Sequence, residues 1–264
     1  MSKSTANVQS LFQSAKDDGV ITAAVAKSIC IPDIGAQIQA GLGISVDDVE
    51  ASEVVLVTQL LDDSGSIRFV AGNAKAVRDG HNLVLDALGD SKQDDGILAA
   101  GYYLNDGLKY AYGQLAQAMR LDSKNFDPSG GTPLFMQAIV VLGTVLAKSQ
   151  EFANNGVPVR SVTLITTDGA NNGPHRASEV KGLVDSLLAQ ESHIVAGMGI
   201  DDGGMTDFRQ VFSEMGIRDE WILTPGNSPS EIRTAFAMFS KSAVRASQSA
   251  ASFSQTAVGG FGTP

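Results

Sequence analysis

Across 264 residues the chain sets 19 Lys and Arg against 29 Asp and Glu, a net charge of −10. That balance, with no local Lys/Arg cluster, speaks against binding a nucleic-acid backbone or an anionic membrane surface. A single cysteine, Cys30, excludes an internal disulfide, a CxxC redox pair and a cysteine zinc site.

The N-terminal stretch lacks an apolar run of signal-peptide length and no segment approaches a membrane span, so a cytoplasmic protein is expected. Residues 1–50 read as a helical N-terminal extension. Val8, Leu11, Phe12 and Ala15 recur at helical spacing, and "ITAAVAKSIC" forms a second helix that stops before Pro32. From Val54 the pattern changes. "VVLVTQLL" is a nearly continuous apolar run suited to a buried strand, and a helical pattern follows from Ile67 to about Leu88. "ILAAGYYL" is the next strand, and the "NDG" at 105–107 turns it into an antiparallel partner, "LKYAYGQL". A loop rich in Asp, Ser and Gly leads to a helix opening at Pro133 and reaching about Ser149. Then "RSVTLITT", "HIVAGMGI" and "EWILT" read as strands, alternating with helices over "HRASEVKGLVDSLLAQ", "TDFRQVFSEMG" and "SPSEIRTAFAMFSKSAV". The Ser/Ala/Gly-rich end, 245–264, reads as a mobile tail. Alternating strands and helices predict one α/β domain over 51–244. It is a doubly wound, mainly parallel six-stranded sheet with one antiparallel strand and helices on both faces.

In such sheets ligands bind beyond the carboxyl ends of the strands. The first strand delivers Asp62, Ser64 and Ser66 there, the loop before Pro133 delivers Thr132, and "SVTLITTDG" ends in Asp168. Two carboxylates and three hydroxyls thus meet on one rim, a hard all-oxygen donor set suited to Mg²⁺ or Mn²⁺. Each piece also has a plain reading: "DDSGS" as a capped turn, Thr132 as the N-cap before an N1 proline, Asp168 as a turn residue before Gly169. Caps explain the pieces singly. They do not explain why all of them stand on one rim.

"DDSGS", "GGTPL" and "TTDG" together resemble the three parts of the metal-ion-dependent adhesion site of the von Willebrand factor A domain, and the resemblance runs from about Val54 to about Val244. It implies that Ser64 and Ser66 ligate a cation directly and that Asp62 acts through water. Thr132 and Asp168 would exchange direct and water-mediated contact as a partner's carboxylate engages. The implied cofactor is Mg²⁺, with Mn²⁺ or Ca²⁺ as alternatives, and the implied partner is another protein supplying an Asp or Glu. The end "FSKSAVRASQSAASFS" is similar to the serine-rich ends of the tellurite-resistance group, and intracellular bacterial members work in stress-response or AAA+ ATPase-linked assemblies. Asp63, one residue along from Asp62, is expected to point away from the site and to pair within a loop or with solvent.

Other chemistries find less support. No phosphate-binding glycine loop ending in Gly-Lys-Ser/Thr and no G-x-S-x-G elbow is present. A dehalogenase-type phosphatase would need an acid where Ser64 stands. His81, His175 and His193 lie far apart in sequence, and Asp201 and Asp202 form a second acidic pair, solvated or lining the same rim. A non-enzymatic binding module is therefore expected; a metal-dependent phosphohydrolase and a structural protein with a bracing metal are the alternatives.

Overall fold

The computed structural model describes residues 7–91, 96–248 and 260–261. Its centre is a sheet of six strands: β1 (Val54–Leu61), β2 (Ile97–Tyr103), β3 (Gly107–Gln114), β4 (Val159–Thr167), β5 (His193–Gly199) and β6 (Ile222–Leu223). Their order is β3-β2-β1-β4-β5-β6, and only the β2/β3 hairpin is antiparallel. All eight residues of β1 are buried, which is why its sequence reads as a continuous apolar run rather than an alternation.

Helices cover both faces. Tyr102 on β2 donates to Thr144 of α5 (Leu134–Asn154) at 3.3 Å, placing α5 on one face. Arg160 on β4, of opposite pleat, donates to the Ala246 carbonyl of α8 (Pro229–Gln248) at 2.9 Å, placing α8 on the other. There α8 packs along α4 (Asn73–Gly89). On the α5 side lie α6 (Ala177–Leu188) and the N-terminal helices α1 (Val8–Asp17), α2 (Ala23–Ile29) and α3 (Pro32–Gly41), while α7 (Phe208–Glu214) adjoins α6 and β5. No single helix among the described residues is long and apolar enough to cross a membrane.

α3 is an element the sequence reading passed over. α2 stops at Ile29, before Pro32 as expected, and Pro32 itself occupies the first turn of a new helix, where its missing N–H is harmless. The helix expected from Ile67 starts later than its pattern. Gly65–Arg68 make a single 3-10 turn, Gly72 then adopts φ +95°, outside any right-handed helix, and α4 begins at Asn73.

The N-terminal helices are locked to the domain. Lys148, fully buried on α5, donates to the Ile44 carbonyl and to Glu151 at 2.7 Å, and Ile44 N–H donates to Tyr112 on the edge strand at 2.8 Å. Most of the expected mobile tail, residues 249–259 and 262–264, lies outside the described residues. Phe261 does not project freely: its ring stands 5.2 Å from that of Trp221, and its N–H donates to the Glu220 carbonyl.

β1 hydrogen-bonds β2 on one side and β4 on the other, so the order reverses beside it. The crevice at the carboxyl ends of β1 and β4 is the place where such a sheet offers a ligand site.

Candidate functional site at the ends of β1 and β4

β1 stops at Leu61, and Asp62 immediately turns its fully buried carboxylate inward. Its Oδ1 accepts the Ser64 N–H at 2.7 Å, which shapes the turn. Its Oδ2 accepts from the Asp168 N–H and the Thr167 hydroxyl, both at 3.0 Å, which bolts the end of β1 to the end of β4. Asp62 is thus satisfied by the protein itself. Its work is to hold the Ser64 turn and the Asp168 backbone in place.

Ser64 and Ser66 point to the same spot. Their Oγ atoms are 2.9 Å apart, and both donate to Asp168 Oδ1, at 3.1 and 2.7 Å. Asp62, Ser64, Ser66 and Asp168 therefore form one hydrogen-bonded cluster. Thr132 borders it: a Cβ placed on Gly169 would lie 3.6 Å from the Thr132 hydroxyl. The reading of Thr132 as a helix cap does not hold, because Pro133 occupies the N-cap of α5 with no side-chain bond, and Leu134 is the first helical residue. Instead Asn172 fixes Thr132, accepting its N–H at 3.0 Å and donating its own N–H to the Thr132 carbonyl at 3.0 Å.

Asp63 faces the other way, as its place in the strand requires. Its carboxylate accepts the N–H groups of Asn105 and Asp106, at 2.7 and 3.2 Å, and so caps the β2/β3 turn. Burial is the leading influence on it and raises its pKa. Asn105 in turn donates to the Gly131 carbonyl at 2.6 Å and accepts the Gly131 N–H at 3.0 Å. A chain of contacts from Asp63 through Asn105 and Gly131 to Thr132 and Asn172 sets the loop that carries the threonine. Sequence reading missed Asn105 and Asn172. The "NDG" signalled only a turn, and "DGANN" only a loop.

The remaining candidates make no hydrogen bond to the cluster. Asp201 Oδ1 accepts the Gly204 N–H at 3.1 Å. Asp202 accepts the N–H groups of Met205 and Thr206, at 2.9 and 3.0 Å, and the Thr206 hydroxyl at 2.6 Å. That pair is a brace for its own loop. His81 bonds the Met119 carbonyl and His193 bonds Ser161; both are buried, and burial pulls their pKa values down to about 4. His175 lies against Glu179 at 3.4 Å. Among the described residues no three His, Cys, Asp or Glu side chains gather as a metal-binding group, so any ion here would depend on two carboxylates and on hydroxyls.

Electrostatics mark the cluster as short of positive charge. Burial, and then the charge of Asp62, push the pKa of Asp168 up to about 6, although the Ser66 and Ser64 hydroxyls pull against this. No Lys or Arg among the described residues pairs with either acid at the cluster.

No family model matches the chain, and no curated protein matches it in sequence. Solved structures do. The pilus adhesin SpaC from Lactobacillus rhamnosus GG, in its open conformation, overlays with a TM-score of 0.53 at 15% identity, covering 74% of this chain and 30% of that one. The vWF domain of the type V pili tip protein Mfa5 from Porphyromonas gingivalis overlays at 0.51 and 11% identity, covering 76% of this chain and 99% of that one. Proximal thread matrix protein 1 from the mussel byssus overlays more loosely, at 0.45 and 18% identity, over 73% of this chain and 46% of that one. The chain thus spans less than half the length of the byssus protein and of SpaC. At these identities the likeness concerns the fold: a doubly wound α/β domain of the von Willebrand factor A type.

Proposed function

We propose that this domain is a protein-binding module whose rim holds a divalent cation among Asp62, Ser64, Ser66, Thr132 and Asp168, and that a partner's carboxylate completes the set. The observation that carries the reading is the convergence of the oxygens. Ser64 Oγ, Ser66 Oγ and Asp168 Oδ1 lie 2.7 to 3.1 Å from one another. These are ordinary hydrogen-bond distances, so what speaks for an ion is that three hard oxygens already converge on one spot, a donor set that suits Mg²⁺ or Mn²⁺.

The chemistry of the donors agrees with the geometry. Two acids match a 2+ charge, and the Asp168 carboxyl, its pKa raised by burial and then by Asp62, is the group that a cation would relieve. When bound, the ion supplies an electrophilic position that a carboxylate from outside can take. The protein's own residues prepare that position. Asp62 spends its lone pairs on the backbone of the two strand ends, the serines keep their hydroxyls on one spot, and Asn172 holds Thr132 at its border. Asp168, rather than Thr132, is the group joined to the serines here.

The overlay with the vWF domain of a pilus tip protein and with a pilus adhesin supports an interaction role over a hydrolytic one. The absence of a histidine from the cluster points the same way, since His81 and His193 are engaged elsewhere. We further propose a bacterial stress-response or AAA+ ATPase-linked setting, on the likeness of the serine-rich end to the tellurite-resistance group. Calorimetry with Mg²⁺, Mn²⁺ and Ca²⁺, followed by partner capture with and without EDTA, tests the reading. Saturable binding that prefers the two smaller ions, and capture that EDTA abolishes, are expected. No binding heat for any of the three ions would sink it.

A further inference from the structure

Buried polar side-chain atoms nearly always find a hydrogen-bond partner, and each one that lacks a partner needs a reason. Among the described residues, four such atoms belong to three side chains that the fold brings together: Nε2 and Oε1 of Gln59, the hydroxyl of Tyr110 and Nδ1 of His81. Gln59 and His81 are each 1% exposed.

Strand register places them. Gln59 on β1 is the lateral partner of Gly101 on β2, and Gly101 is the partner of Tyr110 on β3. Tyr102 and its β1 partner Leu60 face α5, so Gly101 and Gln59, one residue earlier on each strand, face α4 and α8. The Tyr110 ring lies on that same face, over Gly101. A Cβ at 101 would stand 2.2 Å from its Cε1 and 2.7 Å from its Cζ, so only glycine leaves the ring its place. His81 reaches the ring edge-on from α4, with centroids 6.1 Å apart. Neighbouring strands lie about 4.8 Å apart, which sets the Gln59 side chain beside the phenol that covers β2.

The three side chains do not satisfy one another. His81 Nε2 donates to the Met119 carbonyl at 3.1 Å, so Nδ1 is an acceptor, and burial, which holds the pKa near 4, keeps it one at neutral pH. The Gln59 amide offers donors and an acceptor, the phenol one of each, and none of these atoms is paired.

We infer that β1, β3 and α4 enclose an internal water site, in which water donates to His81 Nδ1 and Gln59 Oε1 and accepts from the Tyr110 hydroxyl or the Gln59 amide. The chemistry selects water. The group needs a donor and an acceptor in one small molecule, it carries no charge to hold an ion, and its atoms are closed to solvent. The water is a structural ligand: it ties α4, through His81, to the strand that delivers Asp62 three residues after Gln59.

Magnetic relaxation dispersion of the water oxygen signal counts waters that stay inside the protein longer than it tumbles, and a high-resolution crystal structure locates them. The Gln59→Leu/Tyr110→Phe variant removes three of the four atoms with little change in volume. Its dispersion amplitude should fall below that of the wild type by at least one long-lived water. The wild-type crystal should show a density peak within hydrogen-bond reach of Gln59, Tyr110 and His81, and this decides the matter even where the double variant fails to fold. Equal amplitudes in a folded variant would overturn the site. So would wild-type density with Gln59 bonded directly to Tyr110 and no peak between them, and a peak with anomalous signal would make the occupant an ion and overturn its assignment as water.

Discussion

Asp168 is the residue on which the site's energetics turn. With its pKa raised to about 6 it binds a proton more tightly folded than unfolded, so its contribution to stability falls as pH rises from about 4 through 6. Asp168→Asn should therefore stabilise the metal-free protein at pH 7.5 by about 1–2 kcal/mol, a figure reduced for partial solvent screening. The same change should weaken Mn²⁺ binding at least a hundredfold; urea melts in EDTA and calorimetry check the two halves separately. Two histidines oppose Asp168 over the same pH range. His81 and His193, buried and held down to about 4, bind fewer protons folded than unfolded, so their contribution is complete above about 6.5 and is lost as pH falls toward 4. Each is worth on the order of 3 kcal/mol over that window, and two outweigh one. Net stability of the metal-free chain should rise between pH 4 and 6.5, and more steeply in the Asp168→Asn variant; melts across that range read the sign. The hydrogen-bonded group of Asp62, Ser64, Ser66 and Asp168 could be picked out in the sequence because its members follow within a few residues of the ends of β1 and β4. Asn105 and Asn172 could not. Their bonds reach segments 26 and 40 residues away, and such contacts leave no periodicity to read.

Among the elements, the pairing of α4 with α8 is the tightest test of packing. A Cβ on Gly80 would meet the Phe236 ring at 2.2 Å. Helix propensity alone favours Gly80→Ala by up to about 1 kcal/mol, whereas forcing the ring aside costs about 1–3 kcal/mol, so the overlap wins and the variant should melt earlier. On α5, Glu151→Ala would leave Lys148 buried beside a carbonyl alone. Burial already lowers the Lys148 pKa, and loss of its partner should cost about 3–5 kcal/mol in a denaturant melt, much of it recovered by Lys148→Met/Glu151→Leu. Apolar runs placed the strands, and the sequence pattern located the order of strands and helices. It missed α3 because Pro32 serves equally as a stop and as a first-turn residue. It began α4 too early because the periodicity of 67–72 carries no trace of the positive φ at Gly72.

For the whole molecule, Trp221 supplies a probe, since the chain has only one tryptophan and it is fully buried against Phe261. Truncation after residue 259 should red-shift its emission while far-ultraviolet circular dichroism is retained. An unchanged spectrum would count against the packed position of Phe261. The cluster itself has a wider consequence, because Asp62 and Asp168 stand 106 positions apart and meet only through the joined ends of β1 and β4. An unfolded chain offers a cation nothing comparable, so on the proposed reading mass action ties folding to the ion. A free concentration one hundred times Kd adds about 2.7 kcal/mol, or roughly 5–10 °C for a domain of this size. Resistance to protease should then follow free magnesium in the surroundings, so that the lifetime of the polypeptide becomes a gauge of ion supply.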